Sequence, residues 1–241
     1  MTVVRAGAAT DVGRLRTENQ DSFFAGRQLW LVADGMGGQA AGGLASRLAA
    51  AELAGLDEEP QLSDRAIELG LQRANQRLLD EGRSHLEHWG LGTTATGVAR
   101  TGRQLAIFNV GDSRVYRFAD GKLVQLTTDH SAVQEAVDAG LLDPVSALHH
   151  PRRNIVTRSL GTRPPPVPDI WLRAARAGER YLICSDGLTN ELSDAEIAAV
   201  LRAQPEPQAA ADQLVAAAVD AGGRDNVTVL VLLIEADPGQ H

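Results

Sequence analysis

Five aspartates stand at the ends of separate apolar segments, and a fold can accept that pattern only by gathering several strand ends at one edge. Asp34 closes the run LWLVA (29–33), Asp112 follows LAIFNVG (105–111), and Asp186 follows RYLICS (180–185). Asp225 precedes VTVLVLLI (227–234), and Asp21 precedes Phe23 and Phe24. A strand-forming apolar run fixes the residue at its end, so a rigid scaffold can aim all five carboxylates at one point. Converging carboxylates repel one another unless a cation lies among them, so such a cluster implies bound metal. An all-oxygen donor set favours a hard ion, Mg²⁺ or Mn²⁺, over zinc or copper.

The competing reading is local. Asp-Gly is a strong hairpin signal because glycine adopts positive φ at little cost, and Asp34-Gly35 and Asp186-Gly187 both fit it. Asp225-Asn226 taken alone would also serve as a turn. A set of unrelated turns does not explain why separate apolar segments share an acid at their ends.

Strand-like segments fall at 2–9, 28–33, 93–99, 104–110, 113–118, 180–184 and 227–234. Helical spacing appears in Leu44, Leu48 and Ala51, and in Ile67, Leu71, Ala74 and Leu78 behind a Ser63 cap. It recurs in Ile197, Val200 and Leu201 behind a capping box of Ser193 and Glu196, and in Ala211, Leu214, Val215 and Ala218 after Pro207. Two helices come early, the middle strands run consecutively, and two helices precede the last strand. That order favours an α+β fold with antiparallel sheets over a doubly wound parallel one. Residues 129–168 carry a short expected helix over 131–140, then His149-His150-Pro151 and Pro164-Pro165-Pro166. They read as a mobile surface excursion within one domain.

The chain has 241 residues, 23 Lys+Arg against 31 Asp+Glu, and a formal charge of −8, which argues against nucleic acid or an anionic membrane as main partner. The single cysteine, Cys184, excludes an intramolecular disulfide and every cysteine-based metal cage, and its place inside a strand makes it a core residue. The N-terminus lacks a signal-peptide pattern, and no apolar run is long enough to span a bilayer. The expectation is a cytoplasmic globular protein without a membrane anchor or added sensor domain, in which nothing demands more than a monomer. A second chemistry competes for residues 35–40, where Gly35, Gly37 and Ala40 satisfy G-x-G-x-x-A between a strand and a helix, with Asp57 about 20 residues on. Two points disfavour this dinucleotide-binding reading: Asp34 would face the pyrophosphate, and Asp57 closes AELAGLD (51–57) instead of a second parallel strand.

Eight motifs in order carry a resemblance: GRLRTENQD (13–21), VADGMGG (32–38), GTT (92–94), NVGDSR (109–114), DHS (129–131), NIVTR (154–158), SDGL (185–188) and DNVT (225–228). Together they resemble the metal-dependent Ser/Thr protein phosphatases of the PPM (type 2C) family in its compact bacterial form, over nearly the whole chain. The resemblance implies one catalytic domain over residues 1–241, built as a four-layer α-β-β-α sandwich. Its two central antiparallel sheets would be flanked by helices, with the metal centre at one edge and a flap around 131–160. Carried over position by position, Asp34 would bridge two metal ions and Gly35 would offer its carbonyl to one. Asp186 and Asp225 would hold the other, and Asp21 would act mainly through metal-bound waters. Asp112 and Asp186 would supply a weaker third position, and Arg16 would grip the substrate phosphate with its guanidinium fork.

The implied activity is hydrolysis of phosphoserine and phosphothreonine in proteins, opposing a Ser/Thr kinase that is itself an expected substrate. A hydroxide bridging two Mn²⁺ or Mg²⁺ ions would attack phosphorus directly, with no covalent phosphoenzyme. The alternative is a non-catalytic, phosphoprotein-binding regulatory member of the same fold, against which intact Asp34, Asp186, Asp225 and Arg16 speak. Two positions depart from the family pattern. Met36 stands where some eukaryotic members carry a histidine proposed as general acid, and Asn190 stands where some members carry another aspartate, which bears on the third metal position.

Other candidates have plainer readings. His85 and His88, one turn apart on an expected helix, read as a solvated face ahead of a metal pair, and His149 and His150 as surface residues of the flap. His130 reads as a hydrogen-bonding residue at the flap entrance, and Arg114 as a salt-bridge partner ahead of a second phosphate contact. Arg152 and Arg153 read as a solvated basic pair.

Overall fold

The structure is a computed structural model and describes residues 2–37, 41–148 and 150–236. Gly38, Gln39 and Ala40 of the glycine-rich loop, and His149 of the flap, lie outside the described residues. One sheet has the order β1 (Thr2–Asp11), β11 (Val227–Ala236), β10 (Arg180–Cys184), β7 (Arg114–Ala119) and β8 (Lys122–Gln125). The other has the order β2 (Asp21–Ala25), β3 (Leu29–Met36), β5 (Ala95–Thr101), β6 (Gln104–Val110) and β9 (Asp169–Ala174), with the two-residue β4 (Gly92–Thr93) paired to the end of β3. Neighbouring strands are antiparallel throughout.

Helices α1 (Ala41–Ala54) and α2 (Asp64–Ser84) cover the second sheet, while α6 (Asp194–Ala203) and α7 (Pro207–Ala221) cover the first. The result is the four-layer sandwich expected from the motifs. Local signals explain where these helices begin. The Ser63 hydroxyl accepts from the Ala66 amide, Ser193 and Glu196 close their capping box, and Pro207 occupies the first turn of α7, where its missing N–H costs nothing.

Alternation along the strands builds three apolar layers. Leu29, Leu31 and Ala33 pack under α1 and α2 with Leu53, Ile67 and Leu71. Trp30 and Val32 point the other way and meet Tyr181, Ile183, Leu230 and Leu232 between the sheets. In β11, Val227, Val229 and Val231 face Leu214 and Ala218 of α7. Continuous apolar runs usually mark parallel strands covered on both faces; here antiparallel strands acquire them because each sheet has helices on one side and a second sheet on the other. Each large side chain buried in the middle layer contributes about 1.5–3 kcal/mol, enough to hold the strand ends at the sheet edges in fixed register.

Three strands had no clear sequence signal. In β2, β8 and β9 the residues are only half-buried or exposed, and the segments DSFFA, KLVQ and DIWLRA are too short and mixed to read as covered strands. The excursion after Asp129 holds two short helices, α3 (Ala132–Asp138), capped by Ser131, and α4 (Pro144–Leu148). It is tied at both roots: the Ala132 amide donates to Ile155 O, the Thr157 amide to His130 O, and the Leu160 amide to Thr93 O. Among the described residues, no helix is long and apolar enough to cross a membrane.

Candidate metal centre

Asp21 and Asp34 stand directly opposite each other in the register of β2 and β3. Asp112 lies in the connection from β6 to β7, where the chain passes from one sheet to the other. Asp186 opens a one-turn helix, α5 (Asp186–Thr189), immediately after β10, and Asp225 lies two residues before β11. All five therefore arrive at one edge of the sandwich. Asp34, Asp112, Asp186 and Asp225 line a cleft of about 620 Å³ together with Arg16 and Gly35. Asp21 sits behind them.

Neither Asp-Gly pair is a hairpin turn, which corrects the local reading. Gly35 continues β3 as far as Met36, and Gly187 is the second residue of α5. A Cβ at Gly35 would collide with the carbonyl of Gly42 in α1, and one at Gly187 with the carbonyl of Asn226. Glycine is needed at both places because another segment of chain passes directly over it. The same close approaches bring α1 against Asp34, and the Asp225-Asn226 pair against Asp186.

The carboxylates are electrostatically unsatisfied. Burial, followed by the charges of its acidic neighbours Asp21, Asp186, Asp112 and Asp225, holds Asp34 well above the usual carboxylate range. Burial and then Asp186 push Asp112 up to about 8. Asp186 rises to about 6 through burial and the neighbouring Asp225, opposed by the Asn190 amide. Asp21 rises to about 7 through burial, although the hydroxyls of Thr228 and Ser185 oppose the shift. Its Oδ2 accepts from Ser185 Oγ at 2.7 Å, whereas its Oδ1 is sealed from solvent with no hydrogen-bond partner among the described residues. A buried acceptor left this way costs about 1–3 kcal/mol.

Cations fit this environment: the donors are all oxygen, one is orphaned, and every resolved shift is relieved by positive charge. Ligands of a single six-coordinate ion at about 2.1 Å lie within roughly 4.2 Å of one another. Among the described residues, no three of these carboxylates offer oxygens all within 4.8 Å of one another, so no single ion is held by three of them as they stand.

A polar scaffold fixes the aspartate backbones. The Asp34 amide donates to Thr94 Oγ1 at 2.9 Å, while Asp34 O accepts from the Thr94 amide and from Thr93 Oγ1, both at 2.9 Å. Thr94 Oγ1 also meets Ser113 Oγ at 2.8 Å, which joins Asp34 to the loop carrying Asp112. Asn226 works on the other side. Its Oδ1 accepts from the Gln20 amide at 2.8 Å, and its Nδ2 donates to Val12 O and Glu18 O, each at 2.9 Å. That clamp shapes residues 12–20, the loop that carries Arg16. Thr94, Ser185 and Asn226 lie inside the sequence motifs, but only the fold shows that they hold the loops and strands around the aspartates.

Arg16 is half-exposed at the cleft, and its Nη2 donates to Asp225 Oδ2 at 2.6 Å. Arg114 is not at the cleft as a phosphate contact: it forms a two-pronged pair with Asp129, Nε to Oδ1 at 2.9 Å and Nη2 to Oδ2 at 2.6 Å. Asn190 Nδ2 donates to Asp186 Oδ2 at 2.9 Å, so it orients a carboxylate in place of adding one. His130 is buried, accepts from the Gly111 amide through Nδ1 and meets Asp169 through Nε2; burial lowers its pKa. It therefore braces the flap entrance. Met36 lines the cleft. Cys184 is buried and its thiol is pushed up to about 12 by burial, as a core residue should be. Arg152 is exposed and Arg153 half-buried. His85 and His88 are not on a helix together, because α2 stops at Ser84.

Residues 14–218 match the family described as Protein phosphatase 2C. The chain is 40% identical over 241 residues to the serine/threonine protein phosphatase PstP of Mycobacterium tuberculosis, covering 99% of this chain and 46% of that protein. The chain thus spans about half the length of that relative. It is 37% identical over 239 residues to protein phosphatase PhpP of Streptococcus pneumoniae, covering 95% of this chain and 97% of the relative. A crystal structure of the catalytic domain of PstP in complex with two manganese ions matches the fold with a TM-score of 0.91 at 37% identity, over 98% of this chain and all of that one.

Proposed function

Because the chain belongs to the protein phosphatase 2C family, we propose that it removes phosphate from phosphoserine and phosphothreonine in proteins with the help of two Mn²⁺ or Mg²⁺ ions, residues 1–241 acting as one catalytic domain. The observation that supports this most is a set of carboxylates held above their ordinary pKa around an orphaned oxygen, beside Arg16 in an open cleft. Asp34, the Gly35 carbonyl, Asp186 and Asp225 would hold the two ions, with Asp21 acting through water and Asp112 joining Asp186 at a weaker third position. Bound there, divalent ions lower the pKa of water and draw charge from phosphoryl oxygens.

The chain's own groups do the positioning. Thr94 and Thr93 keep Asp34 from shifting along β3, and Asn226 keeps the Arg16 loop against Asp225. Arg16 meets two phosphate oxygens with its planar fork and orients the ester for in-line displacement. Met36 carries no proton to give, so the departing serine or threonine oxygen takes its proton from water or another group. Substrates are phosphoproteins, among them a Ser/Thr kinase whose action the enzyme reverses. Five of the acids behind the charge of −8 belong to the metal centre, and two divalent ions bring −8 to −4, so a phosphorylated protein meets less repulsion than the apo charge suggests. The reading places the protein in the cytoplasm as a monomer, with neither nucleic acid nor membrane as partner.

Turnover of p-nitrophenyl phosphate and of a phosphothreonine peptide, each with Mn²⁺ and with EDTA, tests this. Turnover is expected with the ion and none with the chelator. Equal rates in EDTA, or no rate with Mn²⁺, would overturn the proposal.

A further inference from the structure

The end of α2 carries a second donor set, chemically unlike the first. His85 follows the last helical residue and its amide donates to Glu81 O at 3.0 Å; His88 ends the single 3₁₀ turn Leu86–His88. This tight path turns both rings back on one carboxylate. His85 Nδ1 lies 2.9 Å and His88 Nδ1 2.7 Å from Glu81 Oε1. The ring centroids are 5.4 Å apart with planes tilted by 50°, so the imidazoles do not stack. One donor atom from each of the three side chains lies within 4.8 Å of the other two, and no other group of three His, Cys, Asp or Glu among the described residues does this. None of the three lines the aspartate cleft.

We propose that Glu81, His85 and His88 bind one zinc-class ion, with water at the fourth position. Ligands about 2.0–2.1 Å from tetrahedral zinc stand roughly 3.3 Å apart, so the trio reaches that geometry by small side-chain rotations. Two imidazole nitrogens and one carboxylate oxygen select a borderline ion such as Zn²⁺ over Mg²⁺ or Mn²⁺, the reverse of the preference in the all-oxygen cleft. The place gives the ion a structural consequence. Leu91 N–H donates to His88 O at 3.2 Å, and the next residues form β4, which pairs Thr93 with Gly35 and Gly92 with Met36. A cation joining His88 to Glu81 fastens the end of α2 to the segment that braces Asp34.

Zinc binding is measured on the full chain in excess Mn²⁺, by competition with a chromophoric chelator, for the wild type, Glu81→Gln, His88→Asn and Asp34→Asn. One zinc per chain is expected, weakened at least tenfold in Glu81→Gln and His88→Asn and retained in Asp34→Asn. As a readout that needs no variant, zinc should shift the imidazole ¹⁵N resonances of His85 and His88 in the wild-type chain and leave His130 in place. Equal zinc binding by the wild type and both α2 variants, loss of the zinc in Asp34→Asn, or unmoved His85 and His88 resonances would overturn the proposal. Because these readouts do not involve turnover, they stand or fall separately from the phosphatase reading.

Discussion

Replacing Asp186 by asparagine should make the metal-free protein more stable, although it removes a proposed ligand. Burial and the neighbouring Asp225 raise this carboxyl from 3.8 to about 6 in the folded chain. A displacement of that size is worth about 3 kcal/mol against the charged form once pH exceeds both values. Asp186 is half-buried and opens on the cleft, so solvent screening brings the expected effect to about 2 kcal/mol. Asparagine mimics the protonated carboxyl and keeps an acceptor for the Asn190 amide. In a chain of this size about 2 kcal/mol corresponds to a rise in Tm of roughly 4–8 °C. The pH dependence gives the sign. Between 3.8 and about 6 the folded state keeps a proton that the unfolded state has released, so this group's contribution to stability falls as pH rises through that window and is level above it. The variant should lack that part of the slope. Thermal melts in EDTA from pH 4 to 8, repeated with Mn²⁺, measure both: the variant melts higher without metal, and only the wild type gains strongly from Mn²⁺. A variant that melts below the wild type in EDTA at pH 7.5, or keeps the full slope, would refute the reasoning.

Three further outcomes follow from the same geometry. Arg16→Lys keeps the charge but loses the fork, so kcat/KM on a phosphothreonine peptide should fall about 10–100-fold, read by steady-state kinetics; an unchanged value would remove Arg16 from phosphate recognition. Asn226→Ala strips partners from Val12 O, Glu18 O and the Gln20 amide, and urea unfolding should show a loss of about 2–4 kcal/mol, with a loss below about 1 contradicting the clamp. Cys184, buried with its thiol pushed up to about 12, should resist a disulfide reagent until the chain unfolds, so rapid stoichiometric labelling of the native protein would contradict its place in the core.

The sequence made the covered strands and capped helices legible because their signals are local. Ser63, Ser193 with Glu196, and Pro207 each mark a helix start through a bond or a missing bond within one turn. Covered strands such as β6 and β10 announce themselves by apolar runs. β8 and β9 are edge strands with open faces, and their short apolar stretches, Leu123-Val124 and Ile170-Trp171-Leu172, do not stand out as covered runs. The aspartates stand out as a pattern, whereas the need for the glycines beside them depends on Gly42 and Asn226 crossing overhead. Asn226 and Thr94 looked like parts of motifs; their work as clamps exists only once β1, β2 and β11, or β3 and β5, lie side by side. His85 and His88 stand four and seven residues after Glu81, a helix-face spacing open to sequence reading; only the fold shows that both Nδ1 atoms meet its Oε1 although the helix ends at Ser84.

Crystals grown with Mn²⁺ and measured at the manganese absorption edge would locate the ions directly. Two strong anomalous peaks should lie among Asp34, the Gly35 carbonyl, Asp186 and Asp225, with Asp21 reached through water. Crystals of the active protein with no anomalous peak at these carboxylates would contradict a metal centre built from the strand-end aspartates.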